Sequence, residues 1–185
     1  MIRNTTHSTK NANTGKQAIL TEFMSEYRKA VHFYSNYLLN NKIEFANRVF
    51  DVKNDKFDCP SMLSTVEIAY ESSLSARALK CAATQACGIV KSLFEKHKRN
   101  LFTQAKLAEQ GVVNKKLDEK IAKWKVPELR LTNINAELNS ICADYQDYVD
   151  GHFAGFLELK SVGKQFGKIR IPVVNTRVFR KWSSK

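Results

Sequence analysis

The sequence predicts an α+β fold, with a helical block over about 17–125 followed by a small antiparallel β block over 128–185 and preceded by a polar segment, 1–16. Three observations carry this. Apolar residues recur at spacings of three and four along two long stretches, the mark of amphipathic helices. The period shifts towards two after Leu129. Two alternating runs, 153–160 and 168–174, are then joined across Gly163 and Gly167, as in a β-hairpin. A chain of 185 residues with 43% hydrophobic content and eleven Phe can bury a real core.

Residues 4–16 show no apolar period and read as a loop or tail. A first helix is expected from about Gln17 to Leu39, because Leu20, Phe23, Met24, Tyr27, Val31, Tyr34 and Leu38 make one stripe. Phe33 and Tyr37 fall off that stripe, so they either pack a second partner or stack a base. Ile43 to Phe50 continues as a short helix, and 51–60 is a charged connector ending at Pro60. Ser75 is the expected N-cap of a second long helix whose apolar face holds Leu79, Ala82, Ala83, Ala86, Ile89, Val90, Leu93 and Phe94. Its small residues, with Gly88, invite close approach by a neighbouring helix. Lys96-His97-Lys98-Arg99 is read as closing that helix, either complementing its dipole or touching phosphate.

A third helix is expected over about 114–125, with Val113, Leu117, Ile121 and Trp124 on one side and Lys115, Lys116, Lys120 and Lys123 on a solvated face. Leu129-Arg130-Leu131 and Ala136-Glu137-Leu138 read as short strands. Asp144, Asp147 and Asp150 read as an exposed loop or helical turn, too sparse for a two-metal nuclease site. Gly163-Lys164-Gln165-Phe166-Gly167-Lys168 lacks the Ser/Thr and the following helix of a phosphate loop, which leaves a turn between strands.

The charge is uneven. Residues 151–185 carry Lys160, Lys164, Lys168, Arg170, Arg177, Arg180, Lys181 and Lys185 against Glu158 alone, +7 of the chain's +12. Clustered cations on a hairpin point to a polyanionic partner, with nucleic acid first. Lys96, Lys98 and Arg99 are secondary candidates. Phe166 and Trp182, with Phe33 and Tyr37, are candidate stacking platforms for unpaired bases. Cys59, Cys81, Cys87 and Cys142 have no zinc-ribbon spacing, which implies buried reduced thiols, a cytoplasmic protein and no metal or other cofactor. No apolar leader or membrane span is read, and no catalytic constellation stands out, so the chain is expected not to be an enzyme by itself.

Phe153-x-x-Phe156-Leu157-Glu158-Leu159-Lys160, a glycine-containing turn, Gly167-Lys168-x-Arg170-Ile171-Pro172-Val173 and Phe179-x-x-Trp182 together resemble the end of the N-terminal half of TnpB-type proteins. These are transposon-encoded RNA-guided nucleases, ancestral to the type V CRISPR effectors. The resemblance implies a wedge-domain strand pair behind a helical recognition lobe, with Met1-Ile2-Arg3 as a first strand. It implies as partners a structured guide RNA, a target DNA or RNA–DNA duplex, and a separate RuvC-like nuclease chain, with no membrane. The nuclease and its zinc ribbon would follow Lys185. The chain is thus expected to be a natural small protein, half of a split effector or an excised piece. The competing reading is a helical protein-interaction module whose alanine face docks a partner and whose basic surface keeps it soluble.

Overall fold

The computed structural model describes residues 12–41, 61–125, 130, 132, 134–147 and 153–174. They form helices α1 (Thr14–Asn41), α2 (Ala76–Glu109) and α3 (Lys115–Ala122), and strands β1 (Ala143–Asp147), β2 (Phe153–Leu159) and β3 (Ile169–Val174). The strands make one antiparallel sheet in the order β1–β2–β3, so the fold is α+β. The expected second helix at 43–50, the connector 51–60 and the first-strand segment 1–3 lie outside the described residues.

The chain divides into two compact units that do not follow chain order. One comprises Met1–Tyr27, Glu71–Cys81 and Asn135–Lys185, and the other Arg28–Tyr70 and Ala82–Ile134. The division differs from the consecutive helical and β blocks read from periodicity, because both long helices begin in the sheet-containing unit.

α1 begins where the Asn13 side chain accepts from the Lys16 N–H at 2.9 Å, three residues before the expected start. Phe23, Tyr27, Val31, Tyr34 and Leu38 are buried as the stripe requires, whereas Leu20 and Met24 are half-buried. α2 is capped by Ser75, whose Oγ accepts from Ala78 N–H at 3.1 Å. Ala78, Ala82, Ala83 and Ala86 are fully buried along its inner face. Gly88 departs from expectation: it is exposed, and a Cβ there would touch nothing.

The end of α2 also departs. It runs to Glu109, so Lys96-His97-Lys98-Arg99 lies within the helix and not in its last turn. Nothing from Asn100 to Glu109 breaks a helix. The stop comes at Gly111, whose φ of +69° suits glycine, with Gly111 N–H donating to Ala108 O at 3.0 Å and Val112 N–H to Leu107 O at 2.9 Å. The dipole explanation of the basic cluster therefore fails. α3 is capped by Asn114, is shorter than expected and buries no residue.

In the sheet-containing unit, Leu159, Ile169, Ile171 and Val173 form the buried sheet face. β1 was not expected. Asp144 and Asp147, read as a loop or turn, are paired in a strand, with Asp144 opposite Glu158 and Asp147 opposite Gly155. Backbone pairing to β2 makes this strand; its exposed polar side chains carry no periodic signal. Residues 136–138 are not a strand, and Leu129, Leu131 and Asp150 lie outside the described residues. Gly155 is required by close approach, since a Cβ would overlap the Gln146 carbonyl and the Tyr145 hydroxyl.

The β2–β3 turn is tied to the start of α2. Ser75 N–H donates to Val162 O at 2.8 Å, and the Ser75 hydroxyl donates to Ser161 O. Gly163 lies so close to Ser73 that a Cβ would overlap its carbonyl oxygen, and Gly167 turns the chain at φ +59°. Val162 and Phe166 are buried as a result. Behind them Tyr27 donates its hydroxyl to Glu137 O at 3.0 Å. Cys142 and Cys81 share a sulfur hydrogen bond; burial first, then Cys81, pushes the Cys142 thiol up to about 11.

Ser75→Ala removes a cap and a turn anchor and is expected to lower stability by about 1–2 kcal/mol, read as a lower urea midpoint at unchanged slope. Gly163→Ala should cost at least as much, because the opposing atom is backbone. For pH, the unfolded chain loses the Cys142 proton near 9.0 while the folded chain holds it to about 11. This contribution is complete below the lower value and is lost as pH rises through the upper one. Burial raises Tyr27 in the same direction. Urea midpoints should therefore fall between pH ~9 and ~11, and less steeply in Cys142→Ala.

Candidate nucleic-acid interface

Strand alternation separates the hairpin's charges from its core. Ile169 and Ile171 are buried on one face, while Arg170 is exposed on the other. Cross-strand register then sets Asp144, Glu158 and Arg170 in one row, and Gln146, Phe156 and Pro172 in the next. Lys160 and Lys168 flank the first row.

These cations have partners within the sheet. Lys160 Nζ is 3.1 Å from Asp144 Oδ2, with both side chains well exposed. Lys168 Nζ is 2.8 Å from Glu158 Oε1; the lysine side chain is 63% exposed and the glutamate 4%. Arg170 donates to Gln146 Oε1 at 3.2 Å, and its guanidinium lies 4.5 Å from the Phe156 ring centroid. The hydrogen bond from Lys160 holds the Asp144 carboxyl below the usual range. Lys164 is exposed in the turn.

The three pairings differ in how readily they release a cation. An exposed pair such as Lys160–Asp144 is screened by water and salt, so phosphate can take Lys160 at little cost. Stripping Lys168 from the buried Glu158 would leave an uncompensated carboxylate, a penalty of about 3–5 kcal/mol. Lys168 can meet phosphate only by using its remaining N–H donors while keeping Glu158. Arg170 retains guanidinium donors beyond the one given to Gln146, and its stacking on Phe156 holds the fork in place.

The other sequence candidates fall in different places. Phe166 is a correction: it is 3% exposed and packs edge-on against Phe23 with centroids 5.7 Å apart, so it belongs to the core and is closed to a base. The glycines on either side fold the turn inward and bury it. Lys96 and Arg99 are exposed and Lys98 is half-buried, all in the other unit. Between them His97 is buried against Trp124, centroids 4.0 Å apart and planes within 13°, and burial lowers its pKa. Phe33 is half-buried and meets Tyr70 at 4.8 Å, and Tyr37 is half-buried on the same helix face. Arg177, Arg180, Lys181, Trp182 and Lys185 lie outside the described residues.

Sequence reasoning missed Asp144, Gln146 and Glu158 as ion-pair and hydrogen-bond partners on the basic face. The available signal was the lone Glu158 inside a basic hairpin. Among the described residues no three His, Cys, Asp or Glu side chains gather as a metal site. Cys81, Cys87 and Cys142 are buried free thiols. No helix among the described residues is long and apolar enough to cross a membrane. No protein-family model matches the chain, and no curated protein or solved structure matches it.

Because an RNA phosphate would compete with Asp144 for Lys160, Asp144→Asn is expected to tighten binding to a structured RNA by about twofold to fivefold at low salt. Fluorescence anisotropy at two salt concentrations measures this, and the gain should shrink as salt rises.

Proposed function

We propose that this chain binds structured RNA through the exposed face of its β2–β3 hairpin and works as a non-catalytic module of a TnpB-like or type V-like RNA-guided effector. The carrying observation is the convergence of Lys160, Lys168 and Arg170 on one sheet face, with Lys164 exposed in the adjoining turn. The sequence resemblance supplies the guide RNA, the target duplex and a separate nuclease chain as partners. In such systems base pairing reads the target sequence, while the protein grips backbone and shape. The hairpin supplies that grip, and Lys96, Lys98 and Arg99 supply a second set of phosphate contacts.

The competing protein-docking reading required an open alanine face on α2. Ala82, Ala83 and Ala86 are fully buried within the fold, so that face is closed to a partner. Nothing specific favours this reading over RNA.

Neutralising about four to six phosphates should give a log K against log salt slope of about −3 to −5. The triple change Lys160→Ala, Lys164→Ala and Arg170→Ala should flatten that slope by about two to three units and weaken structured RNAs alike. Retained Lys168 keeps the buried Glu158 carboxylate paired in that variant. An unchanged slope would remove the hairpin from the interface. The purified chain is also expected not to cut RNA or DNA with Mg²⁺ or Mn²⁺. Metal-dependent cleavage abolished by alanine at Asp144 or Asp147 would overturn that.

A further inference from the structure

Two cysteines far apart in the chain meet inside the sheet-containing unit. Cys81 stands in the second turn of α2, and Cys142 directly precedes β1. Both are buried thiols, Cys81 8% exposed and Cys142 closed to solvent. A sulfur hydrogen bond joins them. Tyr27 of α1 lies near enough to both for a charge on either sulfur to act on its hydroxyl.

The backbone dictates this meeting. Cys142 O accepts from Lys160 N–H at 2.9 Å, and Val162 O, two residues on, accepts from Ser75 N–H at 2.8 Å. The start of α2 and the residue before β1 are thereby tied to one short segment, 160–162. On α2, Ala78, Cys81 and Ala82 share the inner face at spacings of three and four, and both alanines are fully buried. Such small neighbours leave room for a second sulfur to approach. Cys142 is held from its own side, where its N–H donates to Asn139 O at 3.0 Å. Cys87, six residues after Cys81, lies about 240° around the helix and so on a different face.

We propose that Cys81 and Cys142 are a peroxide-responsive pair whose disulfide staples the start of α2 to the sheet. Cys81 reacts first, because of the two it alone has exposed surface. Its sulfur attacks one oxygen of hydrogen peroxide: an S–O bond forms, the O–O bond breaks, and water leaves with the thiol proton. The Cys142 sulfur then attacks the sulfur of the Cys81 sulfenic acid. An S–S bond forms, the S–O bond breaks, and a second water leaves with the Cys142 proton. The two sulfurs lose two electrons in all, and the peroxide gains them.

Burial keeps the Cys142 thiol protonated up to about 11, which suits a resolving group that is inert until its neighbour is oxidised. The Arg77 guanidinium, one turn before Cys81, favours the Cys142 thiolate as that proton leaves. Closure brings the sulfurs from hydrogen-bond contact to about 2.05 Å. The loop so closed spans about sixty residues, and a cross-link of that span restricts the unfolded chain. The inference is independent of the nucleic-acid reading and uses none of the hairpin cations.

The test exposes the reduced full-length chain to hydrogen peroxide under native conditions, then unfolds it, alkylates the remaining thiols and digests it without reductant. Tandem mass spectrometry is expected to find Cys81 linked to Cys142, with two hydrogens lost and Cys87 still alkylated. The melting temperature should rise by about 5–15 °C and return when dithiothreitol is added. In Cys142→Ala the reaction should stop at the Cys81 sulfenic acid, trapped by dimedone. In Cys81→Ala, Cys142 should remain a thiol.

Linkage of Cys81 to Cys59 or Cys87 would overturn the proposal. So would full alkylation of Cys81 and Cys142 at a peroxide dose that oxidises the urea-unfolded chain, or a disulfide that lowers the melting temperature. The linked peptide is read from the unsubstituted chain, so the test decides even where a variant fails to fold.

Discussion

The sheet-containing unit depends on what Ser75 does at the first turn of α2. Its side chain accepts from the helix and donates to the Ser161 carbonyl, while its backbone N–H donates to Val162. One residue therefore starts a helix and fixes a β-turn 86 residues further along the chain. With the turn held there, Val162 and Phe166 are driven inward, and Phe166 meets Phe23 of α1. Gly163 permits the approach, and Gly167 returns the chain to β3. The orientation of the whole hairpin, and so of its charged face, follows from this anchor.

That charged face is a lattice of opposite charges and not a plain positive patch. Asp144 and Glu158 sit across from each other and hold Lys160 and Lys168. Fixing long side chains in this way has two effects on a phosphate ligand. It lowers the field that a net charge count implies, and it lowers the entropy that binding must remove from each lysine. The balance differs along the row, since an exposed pair opens easily and a buried carboxylate does not release its partner. On the proposed reading, a phosphate ligand would meet Lys160, Lys164 and Arg170 more readily than Lys168.

The strong periodic signals in the sequence became structure with little change. The stripe from Phe23 to Leu38, the Ser75 cap and the strand alternation of 169–174 are local features, decided by which side chains lie on one face. Signals that depend on what a residue meets were harder to read. Phe166, in a glycine-rich turn, has the local chemistry of an exposed ring, and only the anchoring of that turn to 73–75 buries it. Asp144 and Asp147 have no strand pattern because β1 is held by its neighbour's backbone. The basic run at 96–99 looked terminal because charge commonly accumulates at helix ends, yet nothing in the next ten residues stops the helix.

By itself, then, the amino-acid sequence determined the α+β class, the helix faces, the hairpin and the concentration of cations in its last fifth, since each rests on short-range periodicity or on composition. Only the tertiary structure decided which of those cations have carboxylate partners, which aromatic rings are closed to solvent, and that Cys81 meets Cys142. These are properties of residues far apart in the chain. Pairing energies and burial depend on distances that close only when the backbone has folded, and no local pattern encodes them.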